Sequence, residues 1–352
     1  MEKKRLWIYV AIAYGVTAVM SLVMYVAYRR QINTTAFVNV QMMYPACGVI
    51  LGKLIFREEE KALPVAGYIT VLATTAVMMI IAVLSVAVPI APVKMPGTDV
   101  ELDIWNTISQ LPIIGGSIIA YILFWVCGRK KREDAGIERR NIKRSIILIT
   151  LFVALLIGKT MIAVFIEDAT AGNNEQWSLI LSALSNPITW LTFATLPVNF
   201  ILSFIAFFGE EYGWRYFLQP VMQGRFGKRV GVLLLGLVWA VWHINVDYMY
   251  YASGYGLQAF ICQIITCVAI AIFFGYAYMK TENIWVPIIM HYLNNNIAAL
   301  LSGGGQDALM NQVIEWREIP VFAISYILFF LFILAPVYNK TCGSTMHGNY
   351  NL

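Results

Sequence analysis

Gly209-Glu210-Glu211-Tyr212-Gly213-Trp214-Arg215 lies inside an apolar run over residues 197–222 that reads as a membrane-spanning helix. Two adjacent carboxylates and an arginine near the middle of such a helix are costly. Insertion scales put each charge at about 2.5–3.5 kcal/mol at the bilayer centre, so an ionisable cluster there is a functional-site hypothesis by default.

The rest of the chain supports the membrane reading. Of 352 residues, 59% are hydrophobic and 13% charged, with a mean hydropathy of +0.69. A soluble domain would carry about twice that charge. The apolar runs are continuous rather than alternating, which excludes a β-barrel and leaves an all-α, polytopic transmembrane helix bundle. The expected spans number about ten: 6–28, 35–56, 63–88, 105–127, 145–166, a sixth beginning between 188 and 197 and ending near 222, then 230–246, 257–279, 285–301 and 319–337. The first has no small-residue cleavage site after Tyr28-Arg29-Arg30 and reads as a retained span rather than a signal peptide.

Charge sets the orientation. Residues 128–144 hold Arg129, Lys130, Lys131, Arg132, Arg139, Arg140, Lys143 and Arg144, which assigns that loop, and with it the N-terminus, to the cytoplasm. The loops 94–104 and 167–177 are acidic or lack Lys and Arg, and are expected outside. Because the basic residues sit between spans, the net charge of +5 points to the membrane surface and not to nucleic acid. The five cysteines form no CxxC and read as small core residues.

Three helices carry polar groups to one depth. At about 1.5 Å per residue, Glu210 lies about 22 Å along its helix from Arg225. His243 lies about 21 Å from Arg229, His291 about 16 Å from Lys280, and Asn295 about 22 Å. Glu211 and Arg215 are spaced i,i+4 and can pair, which leaves Glu210 free on a different face. His291 and Asn295 share the same i,i+4 spacing. One free carboxylate, two imidazoles and an amide suit hydrolysis. Glu210 is the candidate base on a water, with His243 orienting it, and His291 and Asn295 donate to an oxyanion. The residues also allow a divalent metal such as zinc on His243 and His291. The motifs taken singly have plainer readings too: a structural ion pair, a packed histidine, or interhelical hydrogen bonds. No HExxH and no paired membrane aspartates are present. Lys159 and Asn199 read as snorkelling or packing groups.

In order and spacing, Glu210-Glu211-xxx-Arg215, Trp239-xxx-His243 and His291-xxx-Asn295 resemble the CAAX prenyl endopeptidase and bacteriocin-processing (CPBP) family of intramembrane proteases. Tryptophan stands where that family usually has phenylalanine. The resemblance covers about residues 187–301. It implies three parts: N-terminal helices over 1–144, a CPBP-like catalytic membrane core over 145–302, and a last helix with a short cytoplasmic tail over 303–352. It further implies that Glu210 and His243 activate water, that His291 and Asn295 stabilise the oxyanion, and that Glu211 and Arg215 support them, in a cavity open to the cytoplasm. Both metal-dependent and metal-free mechanisms are compatible with it. The substrate class implied is a membrane peptide or lipidated protein, with bacteriocin maturation or immunity among the family's roles, here in a bacterial plasma membrane. The rivals are a non-catalytic immunity or scaffold protein of the same fold, and a transporter with broken helices around a midplane ion site.

Overall fold

Long apolar segments form helices here because a helix satisfies every backbone N–H and C=O within its own segment, as a bilayer requires. In the computed structural model of the chain, residues 2–88, 90–95, 97, 101–301 and 310–339 are described, with backbone alone for 298–301. The run at 303–307, Cys342 and His347 lie outside the described residues. Among the described residues, seven helices are long and apolar enough to cross a membrane: Glu2–Arg29, Thr35–Ile55, Val65–Ala87, Ile104–Val126, Ile142–Ala171, Pro187–Phe226 and Gly256–Thr281. An eighth candidate is the pair Lys228–Trp242 and Ile244–Tyr251, bent by 41°. The protein is therefore an all-α, multi-pass membrane protein, and a short antiparallel ribbon pairs Val93 with Leu102 and Lys94 with Glu101.

Two expected spans differ in detail, and a third keeps its bounds. The one at 230–246 breaks at His243. The one at 285–301 is helical, at 17 residues. The one at 319–337 is a succession of short pieces, Glu318–Ser325, Ile327–Phe330, Leu331–Leu334 and Pro336–Tyr338. Pro336 has no N–H to continue the turn Leu331–Leu334, so that turn stops and a new one starts at the proline.

The chain divides into two compact units. The first comprises Met1–Glu138 with Asn199–Gly213, and the second Arg139–Val198 with Trp214–Leu352.

In the first unit an i,i+4 ladder explains why residues 199–213 belong there. Phe200, Phe204, Phe208 and Tyr212 follow one another along one helix face, with ring centroids 6.1, 5.5 and 4.8 Å apart. Phe124 meets the ladder at 5.0 Å from Phe208, and Tyr121 at 5.5 Å from Phe204. Phe124, Phe204, Phe208 and Tyr212 are buried together in the core of the unit, with Phe200 and Tyr121 half-buried at its edge.

The second unit packs Lys228–Trp242 against Gly256–Thr281. Gly236 makes that approach possible, since a Cβ there would sit 2.6 Å from the Val268 Cα. Phe152 stacks on Phe273 at 5.7 Å and meets Phe329 at 5.8 Å. A polar knot ties the helix ends: the Asn283 side-chain amide donates to the Arg140 carbonyl at 3.0 Å and to the Ser145 hydroxyl at 3.1 Å, while that of Asn141 donates to the Thr281 carbonyl at 2.8 Å.

Candidate functional site

The six residues singled out by the sequence fall on both units. Glu210 and Glu211 belong to the first; Arg215, His243, His291 and Asn295 belong to the second.

On the first unit, Glu210 is 2% exposed and Glu211 is fully buried. Close backbone contact holds the turn that carries them. A Cβ on Gly209 would overlap the Met42 carbonyl oxygen and lie 2.7 Å from the Met43 Cα. A Cβ on Gly213 would overlap the Pro45 ring and lie 2.9 Å from its carbonyl carbon. The small-xxx-small spacing at 209 and 213 thus serves the close approach it signals. The α-helix Pro187–Glu211 ends on the second carboxylate, and Tyr212–Leu218 continues with i→i+5 bonding. Such π-helical insertions concentrate at functional sites. Residue types alone do not reveal it, because they do not distinguish an inserted residue in an otherwise continuous apolar helix.

On the second unit, Trp239 is the hub. The Arg215 guanidinium lies over its indole ring at 4.4 Å and over the Phe274 ring at 5.2 Å. His291 meets the same indole edge-on, with centroids 5.6 Å apart, and the His243 ring is 5.9 Å away. One indole therefore gathers three of the four second-unit residues, from three separate helices. Arg215 is 0% exposed, His291 6% and His243 8%.

His243 sits where Lys228–Trp242 ends, with φ −88° and ψ −4°. Its Nδ1 lies 2.9 Å from the Trp239 carbonyl oxygen. A carbonyl can only accept, so Nδ1 carries the proton and Nε2 keeps its lone pair for a substrate, a water or a cation. The Trp242 ring packs edge-on at 4.9 Å and limits the imidazole's rotation. Asn295 is half-buried and accepts a hydrogen bond at its Oδ1 from Asn294 at 3.1 Å, which leaves its amide N–H2 as the donating end.

A catalytic zinc ordinarily takes three protein ligands. Among the described residues, no three His, Cys, Asp or Glu side chains are gathered to hold a metal ion. His243 and His291 do not complete such a set.

One residue escaped the sequence reading. Asp247, one turn beyond His243, is 1% exposed, and neither carboxylate oxygen has a hydrogen-bond partner among the described residues. It opens the π-helical turn Asp247–Tyr251 just past the bend. The signal was available as a His-xxx-Asp spacing and a lone acid at the end of an apolar span. Lys159, read as a snorkelling or packing group, lies over the Tyr326 ring at 4.6 Å and the Phe322 ring at 5.4 Å.

Comparison with known proteins agrees with the motif resemblance. The family model described as type II CAAX prenyl endopeptidase Rce1-like matches residues 190–297, a segment that contains Glu210, Glu211, Arg215, His243, His291 and Asn295. A protein of Methanococcus maripaludis named CAAX prenyl protease 2 is 30% identical over 117 residues, which covers 30% of this chain and 41% of that protein. The chain thus spans less than half the length of the curated relative it matches. No solved structure matches the chain.

Proposed function

We propose that the chain is an intramembrane endopeptidase that hydrolyses a peptide bond in a membrane-associated peptide or lipidated protein. The observation that carries the reading is the convergence of Arg215, His243 and His291 on the Trp239 ring, inside the segment that matches the Rce1-like model.

In this reading Glu210 accepts a proton from a water, and the hydroxide adds to the scissile carbonyl carbon. His243, with its proton fixed on Nδ1, offers Nε2 to orient that water. The oxyanion is met by His291 and by the Asn295 amide. One such donor is worth about 10²–10³ in kcat. Collapse of the tetrahedral intermediate expels the amine, which takes the proton from Glu210. Glu211 and Arg215 hold the carboxylate-bearing turn and the indole. The charge asymmetry of the loops supports a site reached from the cytoplasm, with the N-terminus on the same side.

The relative's name points to a prenylated C-terminus as one substrate class. The test uses the purified protein in liposomes with two quenched peptides that share a Cys-aliphatic-aliphatic-X end, one farnesylated and one not. In parallel, the membrane peptides of cells expressing the wild type or Glu210→Ala are compared by mass spectrometry. Cleavage that vanishes in Glu210→Gln and His243→Ala, at normal expression, is expected. Retained hydrolysis in Glu210→Gln would refute the base assignment. Identical peptidomes together with intact synthetic peptides would return the protein to the binding or immunity reading.

A further inference from the structure

The carboxylates Glu210 and Glu211 are followed at once by a tyrosine whose bonds lead away from the site. The Tyr212 hydroxyl donates to the Ala135 carbonyl at 2.6 Å, and the Tyr68 hydroxyl lies 2.6 Å from the Tyr212 hydroxyl. A phenol has one proton, and that of Tyr212 is spent on Ala135, so Tyr68 is the donor in the second bond. Both tyrosines and Ala135 are fully buried. Ala135 is the last residue of the short helix Arg129–Ala135, closed by Gly136 in the left-handed region at φ +75°. The carbonyls at a helix end lack intrahelical partners. Here Tyr212 supplies one, and the Lys53 ammonium supplies others, donating to the Asp134 carbonyl at 3.3 Å and the Ala135 carbonyl at 3.5 Å. Lys53 also lies 5.8 Å above the Tyr212 ring. The Asp134 side chain anchors the same helix by accepting from the Ala62 N–H at 2.9 Å.

Tyr212 also stands where the hydrogen-bond pattern changes. The α-helix ends at Glu211 and the π-helical stretch begins at Tyr212. A shift of that junction by one residue would turn the carboxylates by about 100° around the helix axis. Contacts at Gly209 and Gly213 hold the backbone close to residues 42–45, but glycine has no side chain with which to fix rotation. Tyr212 has one, locked by a hydroxyl bond at its tip and by Phe208 stacked at 4.8 Å on its face. We propose that Tyr212 is a positioning residue for Glu210 and Glu211, its hydroxyl hooked on the Ala135 carbonyl so that the loop helix Arg129–Ala135 sets the rotation of the carboxylate pair. The inference rests on the proposed hydrolytic role of Glu210. It makes the basic loop helix, far from the carboxylates in sequence, a lever on the site, since undocking that helix would release the hook.

The test is Tyr212→Phe in liposomes with the farnesylated quenched peptide, each rate normalised to folded protein. Misplacement of a catalytic group by about 1 Å lowers rates by as much as ~100-fold. Tyr212→Phe is therefore expected to lower kcat by about 10–100-fold with KM unchanged, and to move the acid limb of the kcat–pH profile. Tyr68→Phe keeps the hook and removes the bond behind it. About fivefold in kcat, the equivalent of one buried hydrogen bond, is expected. Should Tyr212→Phe not fold, Asp134→Ala decides: it cuts the loop helix's anchor to the Ala62 N–H and loosens the carbonyl that holds the hook, a fall in kcat is expected, and a wild-type kcat overturns the inference. Thr281→Val is the control: it removes a buried hydroxyl bond, to the Ala277 carbonyl, on the second unit, and kcat should not move. Wild-type kcat and pH profile in Tyr212→Phe, or an equal loss in Thr281→Val, overturn the inference. Glu210→Gln in the same preparation separates the two readings: if it stays active, the hydrolytic assignment fails, and if it is dead while Tyr212→Phe is normal, only the positioning role fails.

Discussion

Replacing Arg215 by lysine, alone and together with Trp239→Leu, measures what holds the second-unit cluster together. The guanidinium carbon lies 4.4 Å from the Trp239 ring centroid and 5.2 Å from that of Phe274, both inside the ~6 Å range of cation–π attraction. Arg215 and Phe274 are fully buried and Trp239 is 4% exposed, so the desolvated limit of about 2 kcal/mol applies to the indole contact. Lysine keeps the charge but replaces a planar, weakly hydrated fork by a compact, strongly hydrated ammonium that cannot stack. Arg215→Lys is expected to lose about 1–2 kcal/mol. Trp239→Leu loses the same attraction plus indole packing, about 2–4 kcal/mol, near the lower part of the range for truncating a buried aromatic. If the stack is the shared interaction, the double mutant loses less than the sum, with a coupling energy of about 1–2 kcal/mol. Unfolding in mixed micelles, titrated with a denaturing detergent and followed by far-ultraviolet circular dichroism, supplies the four free energies. His291 leans on the same indole, so Trp239→Leu should also depress kcat beyond its effect on stability. A coupling below about 0.5 kcal/mol would mean the sites are additive and would refute the stack as an energetic contact.

Two further substitutions test the units separately. Gly213→Ala places a methyl group into the Pro45 ring, and overpacking of about 1–3 kcal/mol should exceed the helix-propensity gain of about 1 kcal/mol, lowering the thermal midpoint in detergent; an unchanged or raised midpoint would contradict the close approach. Asp247→Leu removes a carboxylate that is 1% exposed and has no hydrogen-bond partner among the described residues, so a gain of about 1–3 kcal/mol is expected in the same assay, and a loss would show that the carboxylate is engaged.

The residues alone establish a multi-pass helical membrane protein and roughly where its helices run. Transfer of side chains from water to lipid is a local, nearly additive quantity, and a window of about 20 residues contains all of it. The sequence also points to Glu210, Glu211, Arg215, His243, His291 and Asn295, because charged and polar groups are conspicuous in apolar runs. The placement of these residues was decided by tertiary structure. That Trp239 is a hub depends on which rings and cations arrive from other helices, and a tryptophan in an apolar helix reads the same whether it faces lipid or a guanidinium. The bend at His243 and the switch to π-helical bonding at Tyr212 are choices of hydrogen-bond register. Neighbouring registers differ little in local energy and are selected by packing, as at Gly209 and Gly213 against residues 42–45 and at Tyr212 against Ala135. The return of residues 199–213 to the first unit follows from the same cause. The ladder of Phe200, Phe204, Phe208 and Tyr212 is visible in sequence as an i,i+4 stripe, but only the presence of Phe124 and Tyr121 opposite it fixes the helices it joins.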